Sequence, residues 1–108
     1  MEYSSIQRDA AIQRFEYTVE AVWKCLKTFL EVHEGLTCAS PKTCFREAKR
    51  VGMISESQCE LALKMVDDRN RTAHTYQVEV AKLIYAQLKG YAEILRYIVD
   101  HIGKNIKE

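Results

Sequence analysis

An all-α bundle is the fold class that this 108-residue sequence predicts. Two long segments and two shorter ones carry apolar residues at the three- and four-residue spacing of a helix face. No segment shows the alternating apolar and polar pattern of a half-buried β-strand. We therefore predict one domain over residues 1–108, folded as an antiparallel up-and-down bundle of four to five helices.

The first helix is predicted over residues 5–34, where the apolar residues share one face. Gly35 can end it, because glycine readily takes the left-handed conformation that follows many helices. Residues 36–40 are then predicted as a loop. A break near Ala10 would divide this helix and give the bundle its fifth. The apolar stripe consists of Ile12, Phe15, Val19, Val22, Leu26, Phe29 and Leu30.

The second and third helices are shorter and carry clear start signals. The second is predicted over residues 41–51, because a serine N-cap precedes a proline in its first turn and Gly52 can end it. The third follows Ser55, and Gln58 stands three residues further on at the spacing of a capping box. It is predicted to run to about Asn70.

The fourth helix is predicted over residues 77–101, with Gly103 as its stop. Gly90 lies inside it at a cost of about 1 kcal/mol relative to alanine, which predicts close helix packing or a slight bend there. The four apolar stripes together predict the core. Its expected members are Phe15, Val22, Leu26, Phe29, Leu61, Met65, Leu83, Ile84, Leu88, Leu95 and Ile98.

The overall charge gives no general attraction to nucleic acid or to an anionic membrane. Lysine and arginine number 16 against 15 aspartates and glutamates, so any contact with RNA depends on a local patch. No apolar run approaches the roughly 18 residues that a membrane helix needs, and residues 1–5 lack the pattern of a secretion signal. We therefore expect a soluble, cytoplasmic protein that does not enter a membrane.

The four cysteines predict no metal centre. Cys25, Cys38, Cys44 and Cys59 are spaced 13, 6 and 15 residues apart, with no CxxC pair and no HxxxH motif to complete a zinc set. Without a secretion signal, all four are expected to be reduced thiols, with Cys25 and Cys59 acting as small hydrophobic residues of helices. The sequence predicts neither a metal nor a cofactor.

Two further features have both a structural and a functional interpretation. Lys42, Arg46, Lys49 and Arg50 form a basic face on the second helix, which either grips an RNA backbone or is simply solvated. Trp23 either anchors the core or an interface, which we favour, or stacks on a nucleotide.

The densest cluster of chemically active side chains is RNRTAHTY at residues 69–76, between the third and fourth helices. Arg69 offers a planar, charged fork for phosphate oxygens, and His74 can take or give a proton near neutral pH. Asn70 can orient a phosphate or the imidazole, and Tyr76 can bond a phosphate or accept a group. These residue types suit metal-independent RNA cleavage, in which a 2′-hydroxyl attacks its own phosphorus.

Two interpretations of this cluster are open from the residues alone. As a site it needs a second subunit, because one histidine cannot readily be both acid and base, whereas two copies in a symmetric dimer can divide the work. As a structural corner, Arg69 pairs with Asp67, Asp68 or a helix end, His74 bonds a turn carbonyl and Tyr76 packs its ring. Their five-residue spacing would place Arg69 and His74 about 140° apart on an unbroken helix, so convergence requires the break or a second copy.

The pattern Arg-x4-His-x-Tyr formed by Arg69, His74 and Tyr76, with Asn70 directly after the arginine, resembles the motif of the HEPN superfamily. Three segments also resemble the small prokaryotic nucleotidyltransferase substrate-binding proteins within that superfamily. They are RFEYTVEAVWK at residues 14–24, residues 41–52 with FREA at 45–48, and MVDDRN at residues 65–70. The similarity spans about residues 14–88, which is most of the chain.

This resemblance implies a helical bundle that forms a homodimer and is paired with a separate minimal nucleotidyltransferase. It implies that Arg69 and His74 are catalytic residues of an RNase and that Tyr76 accepts AMP. Asn70 is then expected to orient the substrate through its amide. In such a pair the RNase is the toxin. The transferase is the antitoxin, which silences the RNase by adding AMP to the tyrosine.

The resemblance also implies an alternative without catalysis. In this interpretation the helical protein is a substrate-binding subunit, which presents a nucleotide or an RNA end to the transferase. The sequence alone leaves both interpretations open.

Overall fold

The computed structural model describes residues 3–106, with side chains from Ser5 onward, and within them the predicted all-α bundle is confirmed. Its α-helices are α1 (Tyr3–Glu34), α2 (Pro41–Arg50), α3 (Glu56–Asn70) and α4 (Val78–Asn105). A 3₁₀ helix, Arg71–His74, joins α3 to the turn before α4. Because α1 is continuous through Ala10, there is no break there that would make a fifth α-helix.

The start signals of α2 and α3 act as the sequence predicts. The Ser40 hydroxyl accepts a hydrogen bond from the Thr43 amide at 3.3 Å. The capping box of α3 is complete, since Ser55 Oγ accepts the Gln58 amide at 3.1 Å and Gln58 Oε1 accepts the Ser55 amide at 2.8 Å. These bonds satisfy amide groups that the first turn of a helix leaves without a partner.

Two of the three predicted glycine stops are confirmed and one is wrong. Gly35 and Gly52, just after α1 and α2, have φ angles of 66° and 83°. Gly103 does not stop α4, which continues to Asn105, where the Asn105 side chain donates to the His101 carbonyl at 2.8 Å and closes the last turn. A Cβ at Gly90 would meet nothing within 4 Å, so of the two features predicted there, close packing or a slight bend, close packing is absent.

The two long helices, α1 and α4, lie side by side and run in the same direction. The Phe15 ring stacks on Tyr91 with 5.6 Å between centroids, and further along both helices Phe29 meets His101 edge to face at 6.2 Å. Residue numbers therefore rise together along the pair. The bundle is elongated, with extents of 48 × 24 × 21 Å.

The two shorter helices, α2 and α3, run antiparallel. Lys42 at the start of α2 lies 2.6 Å from Asp67 at the end of α3, and Lys49 near the end of α2 lies 3.8 Å from Glu56 at the start of α3. Met53, just after α2, lines a cavity with residues from the last turns of α1. Residues 35–40 therefore carry the chain back along the bundle, and α2 runs in the same direction as α1. The up-and-down order predicted from the sequence is therefore wrong, because α1 runs parallel to α2 and to α4 and only α3 runs the opposite way.

Most of the predicted core is buried, with Leu83 as the error. Leu83 is 57% exposed, whereas its neighbour Ile84 is fully buried, because successive residues point about 100° apart around a helix and only one faces inward. Leu61 and Leu88 are half-buried at the edge of the core. The largest fully buried apolar side chains are Tyr91, Phe45, Leu26, Leu30, Met65, Ile84, Ile98 and Val19.

Two of the four cysteines are paired, which corrects the expectation of reduced thiols for Cys38 and Cys44. They form a disulfide between the loop and the first turn of α2, with Cα atoms 5.3 Å apart. Cys59 is buried as predicted, and burial raises the pKa of its thiol. Cys25 is a free thiol on the exposed side of α1, so it does not act as a core residue.

In the described part of the chain, no helix is both long enough and apolar enough to cross a membrane. The secretion-signal pattern considered for residues 1–5 falls partly on Met1 and Glu2, which lie outside the described residues.

Candidate functional site

The motif RNRTAHTY occupies the corner between α3 and α4. Arg69 and Asn70 form the last turn of α3, and His74 ends the 3₁₀ helix. The Thr72 hydroxyl donates to the Arg69 carbonyl at 2.7 Å, and the Thr75 hydroxyl donates to the Thr72 carbonyl at 3.1 Å. These bonds occupy carbonyls that the ending helix leaves free, so the corner is a defined structure and not a loose loop.

His74 and Tyr76 lie together on the surface of this corner. The His74 Nδ1 atom is 3.4 Å from the Tyr76 hydroxyl, and the two rings meet at 62° with centroids 5.9 Å apart. The Tyr76 side chain is 75% exposed, and Gln77 Nε2 donates to its hydroxyl at 3.5 Å. The phenol of Tyr76 is therefore open to a large reagent, and the imidazole beside it is a group that can accept the phenolic proton.

Arg69 faces α1. Its Nε atom lies 3.2 Å from Glu20 Oε1, and its side chain is 29% exposed. This partner differs from Asp67, Asp68 and the helix end, which were the partners considered from the sequence. The structural alternative for Arg69 is therefore wrong in its partner, although the side chain is indeed in an ion pair.

The two aspartates before Arg69 have other partners. Asp67 pairs with Lys42 of α2, as the antiparallel contact of α2 and α3 requires. Asp68 is 6% exposed; its Oδ2 accepts the Tyr91 hydroxyl at 2.5 Å, and its Oδ1 lies 3.3 Å from Arg71 Nη1. Burial, and then the bond to this carboxylate, raise the pKa of the Tyr91 hydroxyl well above its ordinary value.

Sequence reasoning missed two members of this neighbourhood, Glu20 and Tyr91. Neither is close in sequence to the motif, and each lies on a helix whose position relative to α3 depends on the tertiary packing. No local signal points to either residue. The sequence shows only the neighbouring contact of Asp68 with Arg71, because a three-residue spacing places such a pair on one helix face.

One chain does not bring all the predicted site residues into contact. Among residues 3–106 no hydrogen bond or ion pair joins Arg69 to His74. The Asn70 side chain is exposed and does not cap the 3₁₀ helix that follows it. A single subunit therefore presents the arginine and the histidine from one corner, and their action on one phosphate stays a prediction.

The basic face of α2 is largely neutralised. Lys42 pairs with Asp67, Lys49 with Glu56, and Arg50 with Glu47 at 2.6 Å. Arg46 is exposed and is the member of this face for which the described residues show no ion pair. These contacts favour a solvated face over an RNA grip.

Trp23 has the packing role that we favoured. Its ring is partly buried against the core. Its indole Nε1 donates to Glu20 Oε2 at 3.2 Å, so the polar edge of the ring is occupied by a carboxylate.

An apolar groove runs between α1 and α4, away from the motif. Its volume is about 530 Å³, and it is lined mainly by apolar side chains together with Thr18, Arg96 and Asp100. Its apolar members are Ala11, Phe15, Val22, Leu88, Ala92, Leu95 and Val99.

Comparison with known proteins places this geometry in a family. The family model described as nucleotidyltransferase substrate binding protein like matches residues 1–103. A Haemophilus influenzae protein named probable ribonuclease HepT is 34% identical over 96 residues, which cover 85% of this chain and 64% of that protein. The chain thus spans less than two thirds of this curated relative.

A solved structure has the same fold. A protein from Thermus thermophilus is 45% identical to this chain and superposes on it with a TM-score of 0.90, covering 94% of this chain and 86% of the other. At that identity and coverage, the arrangement of all four helices is shared.

Proposed function

This chain belongs to the nucleotidyltransferase substrate binding protein like family of HEPN proteins, and from that premise we propose that it is a metal-independent RNase controlled by a partner transferase. The observation that carries the proposal is the corner of residues 69–76. There, an exposed imidazole, an exposed phenol and a partly exposed arginine lie within eight consecutive residues at the junction of α3 and α4. The relative named as a probable ribonuclease supports the same activity.

The chemistry needs no metal if protons and charge are handled by side chains. A base removes the proton of the RNA 2′-hydroxyl, whose oxygen attacks the adjacent phosphorus. The bond to the 5′-oxygen breaks, and an acid gives that oxygen a proton, so the products are a 2′,3′-cyclic phosphate and a 5′-hydroxyl. His74 is proposed as acid or base, Arg69 as the ligand of the phosphate and of its transition-state charge, and Asn70 as an orienting group.

A homodimer is part of the proposal. One imidazole cannot readily be base and acid in the same step, whereas two copies of His74 facing each other across a two-fold axis can be one of each. The exposure of His74 supports this arrangement, because its imidazole lies at the surface beside Tyr76. The site would then be a cleft between subunits.

Tyr76 is proposed as the point of control. Its phenol oxygen would attack the α-phosphorus of ATP bound to the transferase, pyrophosphate would leave, and the phenolic proton would pass to a base such as the neighbouring imidazole. The supporting observations are the 75% exposure of Tyr76 and its 3.4 Å contact with His74. An AMP group there would lie beside the catalytic histidine and block RNA. Control of this kind makes the chain the toxin, and the transferase the antitoxin, of a cytoplasmic pair.

The experiment is expression in bacteria, with and without the cognate transferase. Wild-type chain alone should slow growth, and co-expression should restore growth and add AMP to the tryptic peptide that contains Tyr76. The Tyr76→Phe chain should stay toxic in the presence of the transferase. Toxicity that persists with the transferase despite full modification of Tyr76 would rule out this control.

The second candidate is a substrate-binding subunit without catalysis, which the name of the family favours. It would present a nucleotide or an RNA end to the transferase and contribute shape alone. Its distinguishing outcome is a chain that neither slows growth nor cleaves RNA, yet raises the turnover of the transferase.

A further inference from the structure

Glu20 is the carboxylate that faces the motif from another helix. Its Oε1 atom lies 3.2 Å from Arg69 Nε. Its Oε2 atom accepts the Trp23 indole at 3.2 Å and lies 3.7 Å from Lys24 Nζ. Because Trp23 is packed against the core, its indole holds the carboxylate in one orientation. Glu20 therefore links the motif to the rigid middle of α1.

The acids nearest in sequence to Arg69 are not available to it. Asp67 is paired with Lys42, and Asp68 accepts the hydroxyl of the buried Tyr91. In the described part of the chain, the carboxylate on α1 is thus the one that lies beside the Arg69 guanidinium. The ion pair of Arg69 therefore connects two helices, α3 and α1.

The contact leaves most of the arginine's hydrogen-bonding capacity unused. Arg69 Nε is buried and within ion-pair distance of the carboxylate, but the alignment is outside that of a hydrogen bond. The interaction is therefore electrostatic. Within residues 3–106 the two Nη atoms, which carry the fork that matches two phosphate oxygens, donate no hydrogen bond to another side chain.

We propose that Glu20 is a positioning residue for Arg69, with Trp23 orienting its carboxylate. Glu20 fixes the guanidinium through its Nε side and leaves the Nη fork for a phosphate of RNA. The inference rests on the proposed RNase function, and it adds α1 to the elements that form the site. Its negative charge also opposes an incoming phosphate, so the carboxylate improves placement at some cost to binding.

The first test is the change Glu20→Gln, which removes the charge but keeps the shape and an acceptor for Trp23. We expect kcat for RNA cleavage to fall about 10- to 100-fold because the arginine is misplaced, while KM stays the same or decreases. The matched control is Glu31→Gln on the exposed side of the same helix, which should leave both constants unchanged. An unchanged kcat in Glu20→Gln overturns the proposal.

A double-mutant cycle separates positioning from a merely structural role. If Glu20 acts through Arg69, adding Glu20→Gln to Arg69→Gln should cause no further loss of kcat. Equal fold losses in both backgrounds would show that Glu20 does not act through this arginine, and would overturn the proposal.

A third measurement does not depend on RNA cleavage. Phenylglyoxal, an arginine-selective reagent, should modify Arg69 faster in Glu20→Gln than in wild type, as followed by mass spectrometry of the Arg69 peptide. An unchanged rate overturns the placement of Arg69 by Glu20. A faster rate in a protein that never cleaves RNA would contradict the proposed RNase function while supporting the coupling of Glu20 to Arg69.

Discussion

Asp68 joins the candidate site to the core through its side chain. It stands directly before Arg69, yet it is 6% exposed and accepts the hydroxyl of the fully buried Tyr91. Arg71 approaches its other oxygen at 3.3 Å. Because each oxygen of this buried carboxylate has a partner, the side chain is held in one place, and it fixes the end of α3 against α4. The main chain of Arg69 is thereby fixed as well.

Tyr91→Phe should destabilise the protein by about 1–3 kcal/mol, because it leaves a buried carboxylate oxygen without its donor. Urea unfolding at neutral pH measures the change. Tyr97→Phe is the matched control, since Tyr97 is 45% exposed on the same helix, and it should change stability by less than about 0.5 kcal/mol. Equal effects of the two changes would contradict the role given to the bond.

The same pair predicts a pH dependence. The pKa of Tyr91 is raised in the folded protein, by burial first and by Asp68 second. A raised folded-state pKa adds stability that is fully present below the unfolded value of about 10, and this stability is lost as the pH rises through the higher folded value. Unfolding free energy should therefore fall above about pH 10, and less steeply in Tyr91→Phe. Identical slopes in both proteins would argue against this origin.

At the scale of the element, the helix boundaries show what local sequence decides. Ser40 and Ser55 start their helices as predicted because a cap needs residues only three positions away. Gly103 does not end α4 because a glycine terminates a helix only when the chain takes a positive φ there. Leu83 is misassigned because its stripe borders the core, and the exact inward direction depends on where α1 and α3 lie.

Gly90→Ala should stabilise the protein by about 1 kcal/mol, since alanine favours the helix and the added Cβ would meet nothing within 4 Å. Thermal unfolding monitored by circular dichroism measures it. The matched change Gly52→Ala should destabilise, because Gly52 has a φ of 83°, which side-chain-bearing residues rarely adopt. A loss of stability in Gly90→Ala would show that this position is packed more tightly than the structure has it.

At the scale of the whole molecule, the sequence predicts the bundle and the motif but not how the motif is held. The helices follow from periodicity and caps, which are local. The contacts of Arg69 with Glu20 and of Asp68 with Tyr91 depend on α3 packing against both α1 and α4. That arrangement results from packing over the entire chain. The second subunit that would complete the site likewise depends on packing and cannot be predicted from local sequence.

A shared site predicts how activity depends on subunit mixing. Wild type and His74→Ala are mixed in equal amounts, exchanged under mild denaturation and returned to native buffer. If both imidazoles of a dimer are needed, only wild-type pairs cleave, and activity falls to about one quarter of that of undiluted wild type. A fall to one half would mean that each chain acts alone. Light scattering should give twice the chain mass of 12.5 kDa in every sample.

We propose that His74 cleaves RNA without a metal. The direct test is cleavage of an end-labelled RNA in EDTA by wild type, by His74→Ala and by His33→Ala, which changes an exposed histidine at the far end of α1. We predict 2′,3′-cyclic phosphate ends, equal rates for wild type and His33→Ala, and a loss of at least about 100-fold in His74→Ala. Cleavage by His74→Ala at the wild-type rate, or no cleavage by wild type, would contradict the role of His74 as the acid or base.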